Sequence, residues 1–267
     1  MQAAELSRRL LDEPQLEGEL RQIDPFALEG QDERVAFWLN VYNARLRSEL
    51  AESPREGSVL RHRSLFRRSS YRIGELDYSL NQIEHGLLRS NARPPYSPRR
   101  LLAGDDPRLG VPPKLDPRIH FALNCGATSC PLVRPYDPAG VDEQLEAATR
   151  AYITQESEID RAGGGATLPG LCKLYSADFG GRDGVRRFAE RYLGEDLDGL
   201  RLRFAAFDWT LVPWPLTAPD LGRAPLYAGP FLRAGGVFYL PRVKRTSAAR
   251  PPGPSVCMLS SGPTPGA

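Results

Sequence analysis

The stretch RVAFWLNVYNARLRSEL, residues 34–50, combines a dense set of apolar side chains with polar residues at helical spacing, and it predicts a long helix. Asp32 is a candidate N-cap, because a short polar side chain can accept from the free backbone N–H groups of a first turn. Asn40, Asn43 and Arg47 form a polar stripe along this helix. Buried asparagines usually hold a neighbouring loop; the alternative is that these two contact a substrate or orient an imidazole.

A second helix is predicted from YSLNQIEHGLLRSN, residues 78–91. Ser79 and Gln82 have the spacing of a capping box, in which each side chain bonds the other residue's backbone N–H. Glu84 falls in the middle of the apolar face and His85 at its flank. A carboxylate in that position is costly unless it is paired, so Glu84 either clamps the fold or belongs to a functional site.

The stretch RIHFALNCGATSCP, residues 118–131, alternates apolar and polar residues and predicts a strand from Ile119 to Asn124. In such a strand His120 and Asn124 share one face. A straight strand would separate His120 from Cys125 by roughly 16 Å. The base for a Cys125 nucleophile is therefore expected from another segment, unless the chain turns back after the strand.

Cys125 and Cys130 are compatible with several chemistries. One is a thiolate nucleophile, which requires a base or a lowered thiol pKa. Another is a zinc site with His120, for which the spacing is unusual and a fourth ligand is unnamed. A disulfide across the turn is geometrically feasible but disfavoured in a reducing compartment. Both cysteines could also simply be packed inside the protein, as free cysteines often are.

The whole chain is predicted to form a mixed α/β (α+β) fold, a single domain with helices packed on a small sheet. Its 267 residues are 41% hydrophobic and 25% charged, which are ordinary globular values. We expect an N-terminal helical segment at 1–30, a main domain at 31–212, a peripheral segment at 213–245 and a disordered tail at 246–267. Further elements are predicted at 71–78 (a short strand or a hairpin), 141–154 (helix), 167–175 (strand), 184–193 (helix) and 200–211 (strand).

Composition and patterning exclude several classes of function. The formal net charge of +2 gives no reason to expect a nucleic-acid partner. No stretch approaches the roughly 20 consecutive apolar residues of a membrane span, and the charged N-terminus lacks the apolar centre of a signal peptide. The sequence thus predicts a cytoplasmic protein without metal or cofactor that acts on a small molecule or a peptide.

Four motifs, in order, resemble the family catalogued as domain of unknown function 547. They are RVAFWLNVYNAR, YSLNQIEHGLLRSN, DPRIHFALNCGATSCPLVRPYDP and FAAFDWTL, and they span residues 34–211. The resemblance implies no reaction. Its hallmark positions fall on residues already singled out above, together with one proline: Asn40, Asn43, Glu84, His85, His120, Asn124, Cys125, Cys130 and Pro131.

The leading hypothesis is a cysteine-dependent hydrolase or acyltransferase with papain-like or transglutaminase-like residue types. In it Cys125 is the nucleophile, His85 or His120 the base, and Glu84 or an asparagine the residue that orients the imidazole. A set of further residues would bind or orient the substrate: Asn40, Asn43, Asn124 and Cys130. The alternatives are a non-catalytic scaffold or interaction module with a structural polar core, and a His/Cys zinc site.

Overall fold

The computed structural model describes residues 2–53 and 55–212. The segments expected as a peripheral region at 213–245 and a disordered tail at 246–267 lie outside the described residues. The described part has the predicted mixed architecture of helices with two small sheets. Its α-helices are α1 (Ala3–Arg9), α2 (Gly30–Glu52), α3 (Leu65–Arg68), α4 (Val141–Glu156), α5 (Gly170–Leu174) and α6 (Gly181–Leu193). In this part of the chain no helix is long and apolar enough to cross a membrane.

The five strands form one hairpin and one three-stranded sheet. Strands β1 (Ser70–Ile73) and β2 (Leu76–Ser79) pair antiparallel, so of the two alternatives expected around Gly74, a short strand or a hairpin, the hairpin is present. In the second sheet β4 (Gly165–Leu168) lies between β3 (Glu158–Asp160), which is antiparallel to it, and β5 (Arg201–Phe204), which is parallel. The connection from β4 to β5 contains α5 and α6, the usual way of joining parallel strands.

Helix α2 is the centre of the larger core. Every side chain from 35 to 44 on this helix is buried, including the large rings of Phe37, Trp38 and Tyr42. A helix that is apolar on most of its circumference must be surrounded by other elements. Helix α1 and the 82–88 helix pack against it.

A second, smaller core lies beside the three-stranded sheet. Helix α6 contributes Val185 and Ala189 to it, and the sheet contributes Leu168 and Leu202. Phe207 packs against both cores. The chain that follows β5 therefore lies where the two hydrophobic clusters meet.

The strand expected from Ile119 to Asn124 is wrong. Residues Pro117–Phe121 form a 3₁₀ turn instead, and the backbone N–H of Ala122 bonds the carbonyl of Ile119. Asp116 explains the difference, because its side chain accepts from the N–H of Arg118 and Pro117 supplies the fixed φ of a first turn. The local turn signal outweighs the alternating pattern, so the straight-strand separation of His120 and Cys125 does not apply.

Three other boundaries differ from expectation. Helix α2 begins at Gly30, before the predicted Asp32 cap, and the side chain of Glu33 accepts from the N–H of Glu29 at 2.6 Å. The strand predicted at 167–175 ends at Leu168, since proline at 169 has no N–H to continue the ladder. The final strand predicted at 200–211 is regular only over β5.

The helix predicted after Ser79 begins with the expected capping box. The N–H of Ser79 donates to Gln82 Oε1 at 2.9 Å, and the N–H of Gln82 donates to Ser79 Oγ at 3.3 Å. The helix then widens into a π-helix over Gln82–Leu88, where the N–H of Arg89 bonds the carbonyl of Glu84, five residues earlier. Such wide turns are frequent at functional sites.

Candidate functional site

A cavity of about 60 Å³ brings together most of the side chains singled out in the sequence. Glu84, His120, Asn124, Cys125 and Cys130 all line it. The remaining wall is mostly apolar and aromatic: Tyr42, Leu123, Pro131, Leu171, Leu174, Tyr175, Phe207 and Trp209. The cavity is far smaller than a typical drug-sized ligand site of roughly 300–1,000 Å³, so it fits the reacting end of a ligand rather than a whole one.

The two cysteines of this cavity contact each other. Cys125 and Cys130 are free thiols whose Sγ atoms lie 2.7 Å apart. The backbone N–H of Cys125 also donates to Cys130 Sγ at 3.0 Å. Among the described residues, neither thiol hydrogen-bonds an imidazole. The thiols are therefore organised as a pair and not as the cysteine–histidine dyad expected for Cys125.

The two thiols differ in acidity. The hydrogen bond to Cys130, together with burial, holds the pKa of Cys125 well above its usual value. Burial also raises the pKa of Cys130, but the hydrogen bonds from the Cys125 side chain and from the Cys125 and Ala127 backbone lower it more, so the pKa of Cys130 lies below its usual value. Negative charge is thus favoured on Cys130, whereas sequence analysis had selected Cys125.

The loop that carries the thiols is held by Asn124. Its Nδ2 donates to the carbonyl of Pro131 at 2.7 Å, and its Oδ1 accepts from the N–H of Gly126 at 2.6 Å. Gly126 has φ +83°, and a Cβ there would approach Leu50 to 3.0 Å, so glycine suits this turn better than any other residue. Asn124 therefore connects both ends of the cysteine loop.

Glu84 is a buried carboxylate with two tyrosine partners. Tyr42 donates to its Oε2 at 3.2 Å and Tyr175 donates to its Oε1 at 2.6 Å. Burial raises the pKa of Glu84, but His85, the Tyr175 hydroxyl, His120 and Arg89 lower it more, so it lies below its usual value. The carboxylate that was unusual in the sequence is thus ionised and satisfied at the cavity wall.

His85 lies beside this carboxylate, with Nδ1 at 3.7 Å from Glu84 Oε1. Arg89 donates to the same Nδ1 at 3.0 Å, so this nitrogen is an acceptor and carries no proton. Burial lowers the pKa of His85. Because its Nδ1 is occupied and it does not line the cavity, His85 is less suited to act as a base than His120.

His120 is held by a buried ion pair. Its Nε2 donates to Asp178 Oδ2 at 2.8 Å, and Arg89 donates twice to the same carboxylate, at 2.6 and 2.9 Å. The ring is stacked on Tyr175 with centroids 3.8 Å apart. Burial lowers the pKa of His120 more than Asp178 raises it, so the imidazole is neutral near pH 7. A neutral imidazole with one nitrogen fixed by a carboxylate has the state of a general base.

Asn40 and Asn43 bond backbone and do not line the cavity. Asn40 accepts from the N–H of Tyr136 and donates to its carbonyl, both at 2.8 Å. Asn43 donates to the carbonyl of Ala122 at 3.0 Å and accepts from the N–H of Asn124 at 3.1 Å. This geometry favours the structural alternative for both residues.

The zinc alternative does not fit the geometry. Ligating atoms of His120, Cys125 and Cys130 do not all lie within 4.8 Å of one another. Over the described residues, the group that meets this criterion consists of three carboxylates near β5: Glu190, Asp196 and Asp198. Two of these already accept backbone N–H groups, which accounts for their proximity.

Four residues of the site were missed in the sequence: Tyr42, Arg89, Tyr175 and Asp178. Arg89 follows His85 by four residues, a helical spacing that could have indicated the contact. Nothing local to Tyr42, Tyr175 or Asp178 indicates their partners, since these are distant in the chain.

Residues 27–153 match the family model described as "Protein of unknown function, DUF547". The match confirms the resemblance seen in the first three motifs, whereas FAAFDWTL at 204–211 lies beyond its end. Tyr175 and Asp178 lie beyond it too, so the cavity combines side chains of the DUF547 segment with side chains of the following region. Neither the curated proteins nor the solved structures compared with the chain match it.

Proposed function

We propose that this protein is a cysteine-dependent hydrolase or acyltransferase in which Cys130 is the nucleophile and His120 the general base. One observation carries the proposal: the thiol pair lines the same small cavity as His120, an imidazole whose other nitrogen is held by a buried carboxylate. The reduced thiols that this chemistry needs agree with the cytoplasmic location expected from the sequence.

The choice of Cys130 follows from its hydrogen bonds. Its Sγ accepts from the backbone N–H of Cys125 at 3.0 Å and lies 2.7 Å from the Cys125 thiol, and a donor aimed at a sulfur stabilises the thiolate. The thiolate is the nucleophilic form of cysteine. Cys125 keeps its proton in this arrangement and supports its neighbour instead of attacking the substrate.

His120 and Asp178 supply the acid–base function. The bond from Nε2 to Asp178 fixes the ring and leaves Nδ1 as the nitrogen for proton transfer. A carboxylate in this position keeps the tautomer and stabilises the imidazolium that forms during reaction. The imidazole would take a proton from the water that hydrolyses the acyl-enzyme, or from an acceptor alcohol or amine in the acyltransferase case.

The substrate would present a narrow apolar acyl group. Leu171, Leu174, Phe207 and Trp209 form the apolar part of the wall, and the small volume excludes a bulky group from the cavity itself. A small-molecule ester or a side chain of an extended peptide satisfies both conditions. The remainder of the substrate would lie outside the cavity.

The test uses nitrophenyl acetate as the acyl donor, with intact-protein mass spectrometry and peptide mapping. We expect an acetyl group on Cys130, its loss in Cys130→Ser, and at least tenfold slower deacylation in His120→Gln. His62→Gln is the matched control, since His62 is half-buried, does not line the cavity and, among the described residues, bonds the carbonyl of Glu56, so its kinetics should equal those of the unmodified protein.

Acetylation that is absent, or that is equal in the Cys130→Ser variant, would refute the proposal. That result would favour the non-catalytic scaffold, which one observation already supports: in the described structure no imidazole bonds either thiol. Circular dichroism of each variant separates a lost reaction from a lost fold.

A further inference from the structure

The contact between Cys125 and Cys130 suggests a chemistry that needs no imidazole. The two Sγ atoms are 2.7 Å apart, while a disulfide bond is about 2.05 Å long. Thiols brought together in this way can exchange with an external disulfide and then join each other. This chemistry depends on the geometry of the thiol pair alone and does not rest on the acyl-transfer proposal.

The cysteine loop holds this geometry from several directions. Asn124 bonds the backbone at both of its ends, and the N–H of Cys130 bonds the carbonyl of Ala127 within the turn. The loop is also paired with residues 208–212: the N–H of Thr128 bonds the carbonyl of Thr210, and the N–H of Ser129 bonds that of Asp208. The thiols are therefore in place before any ligand arrives.

The two thiols are not equivalent, and the difference indicates which of them attacks first. The backbone N–H of Cys125 donates to Cys130 Sγ at 3.0 Å, and the pKa of Cys130 is lowered whereas that of Cys125 is raised, so Cys130 is the nucleophile and Cys125 the resolving thiol. Both side chains remain partly exposed and line the cavity. In contrast, Cys172 is almost completely buried, and burial raises its pKa to about 12, so it takes no part.

We propose that the Cys125–Cys130 pair is a thiol–disulfide exchange site for small, uncharged disulfides with apolar substituents. The Cys130 thiolate attacks one sulfur of the substrate, forms a mixed disulfide and releases the first substrate thiolate, which takes the proton of Cys125. Cys125 then attacks Cys130 Sγ, forms the intramolecular disulfide and releases the second thiolate. The substrate gains two electrons and the protein loses two; an external thiol reverses both steps and restores the protein.

The substrate class follows from the walls of the cavity. Its apolar side chains, including Leu174, Phe207 and Trp209, suit an aliphatic or aromatic substituent. Glu84 is an ionised carboxylate in the same wall and would repel an anionic disulfide. The volume of about 60 Å³ admits one end of such a molecule and not the disulfide of a folded protein surface.

The experiment mixes reduced protein with one equivalent of dithiodipyridine, which is uncharged and releases a chromogenic thione. A Cys257→Ser background removes the cysteine that lies outside the described residues. We expect two thiones per protein and, by peptide mapping, a Cys125–Cys130 disulfide with Cys172 unmodified. Cys125→Ser should release one thione and keep a mixed disulfide on Cys130, while Cys130→Ser should react at least tenfold more slowly.

A mixed disulfide that accumulates on the protein with both thiols present would overturn the proposal. So would first attack by Cys125, or a Cys130 rate no higher than that of free cysteine. These outcomes are measured on the protein in which Cys125 and Cys130 are both intact, so misfolding of a cavity variant cannot produce them. A dianionic aromatic disulfide tests the substrate class. Each disulfide's rate with the protein is divided by its rate with free cysteine, and this ratio should be lower for the dianionic disulfide than for the uncharged one. Equal ratios would overturn the substrate class.

Acyl transfer and disulfide exchange fail separately. The first leaves an acetyl group on Cys130 and the second leaves a bond between two cysteines, so each product identifies its own reaction. Acetylation without an intramolecular disulfide would overturn the exchange proposal alone. An intramolecular disulfide without acetylation would refute only the acyl-transfer proposal.

Discussion

The guanidinium of Arg89 donates two hydrogen bonds to the carboxylate of Asp178, although the two residues are 89 positions apart in the chain. Both side chains are almost fully buried, at 3% and 4% exposure. Asp178 in turn orients His120, and Arg89 donates to His85. One ion pair thus connects both imidazoles near the cavity, and it joins the 82–88 helix to the region after α5.

The first prediction concerns the stability of this ion pair. Asp178→Ala should lower the free energy of unfolding by about 3–5 kcal/mol, because it leaves the buried Arg89 charge without its partner. Urea unfolding followed by circular dichroism measures the change. Glu5→Ala is the matched control: the Arg8–Glu5 pair has the same chemistry but is 46% exposed on both sides, and its loss should cost less than about 1 kcal/mol. Equal costs would contradict the prediction.

The second prediction is the acid dependence of stability. Burial raises the pKa of Asp178, but His120 and Arg89 lower it more, to about 2 from an ordinary 3.8. A depressed folded-state pKa gives stability that is present above the unfolded-state value and is lost as pH falls toward 2. The loss should be about 2 kcal/mol. The Asp178→Asn variant has no carboxyl group to titrate at this position, so the difference between its unfolding free energy and that of the unmodified protein should narrow as pH falls from 5 to 2. Parallel curves of unfolding free energy against pH would rule this out.

The third prediction separates a buried from an exposed amide with the same bonding pattern. Asn40 bonds the N–H and the carbonyl of Tyr136, and Gln31 bonds the same two groups of Lys114. Asn40→Ala leaves two buried backbone groups without partners and should cost about 2–4 kcal/mol. Water replaces the lost bonds in Gln31→Ala, which should cost less than about 1 kcal/mol. Chemical denaturation of both variants checks the difference, and similar values would argue against the structural role of Asn40.

The fourth prediction concerns the tyrosine that bonds Glu84. Tyr42→Phe removes a hydroxyl that donates to the buried carboxylate, so it should destabilise the protein by about 1.5–3 kcal/mol. Tyr136→Phe is the control, because the Tyr136 hydroxyl is buried and has no hydrogen-bond partner among residues 2–53 and 55–212, so its removal should be neutral or stabilising. Thermal unfolding of both variants distinguishes them, and a cost that is the same for both would contradict the assigned bond.

Local signals in the sequence identified elements whose determinants are close in the chain. The capping box of Ser79 and Gln82, the hairpin around Gly74 and helix α4 follow from nearest neighbours, and all three are present. The burial of Glu84 followed from helical periodicity and survives the change to a π-helix. The predicted strand at 119–124 failed for a local reason as well, since Asp116 and Pro117 together start a turn.

The identity of the site residues and the pairing of their side chains have different origins. Periodicity alone determined that Glu84 was unusual, because a polar group in an apolar pattern is costly whatever surrounds it. The residue types of His120, Asn124 and both cysteines made them candidates, although the strand predicted for this segment is wrong. Only the tertiary structure decided that the thiols contact each other, that Cys130 is the more acidic one, and that Asp178 holds His120. Acidity and ion pairing depend on distances of a few ångströms between segments far apart in the chain, and a linear pattern contains no information about those distances.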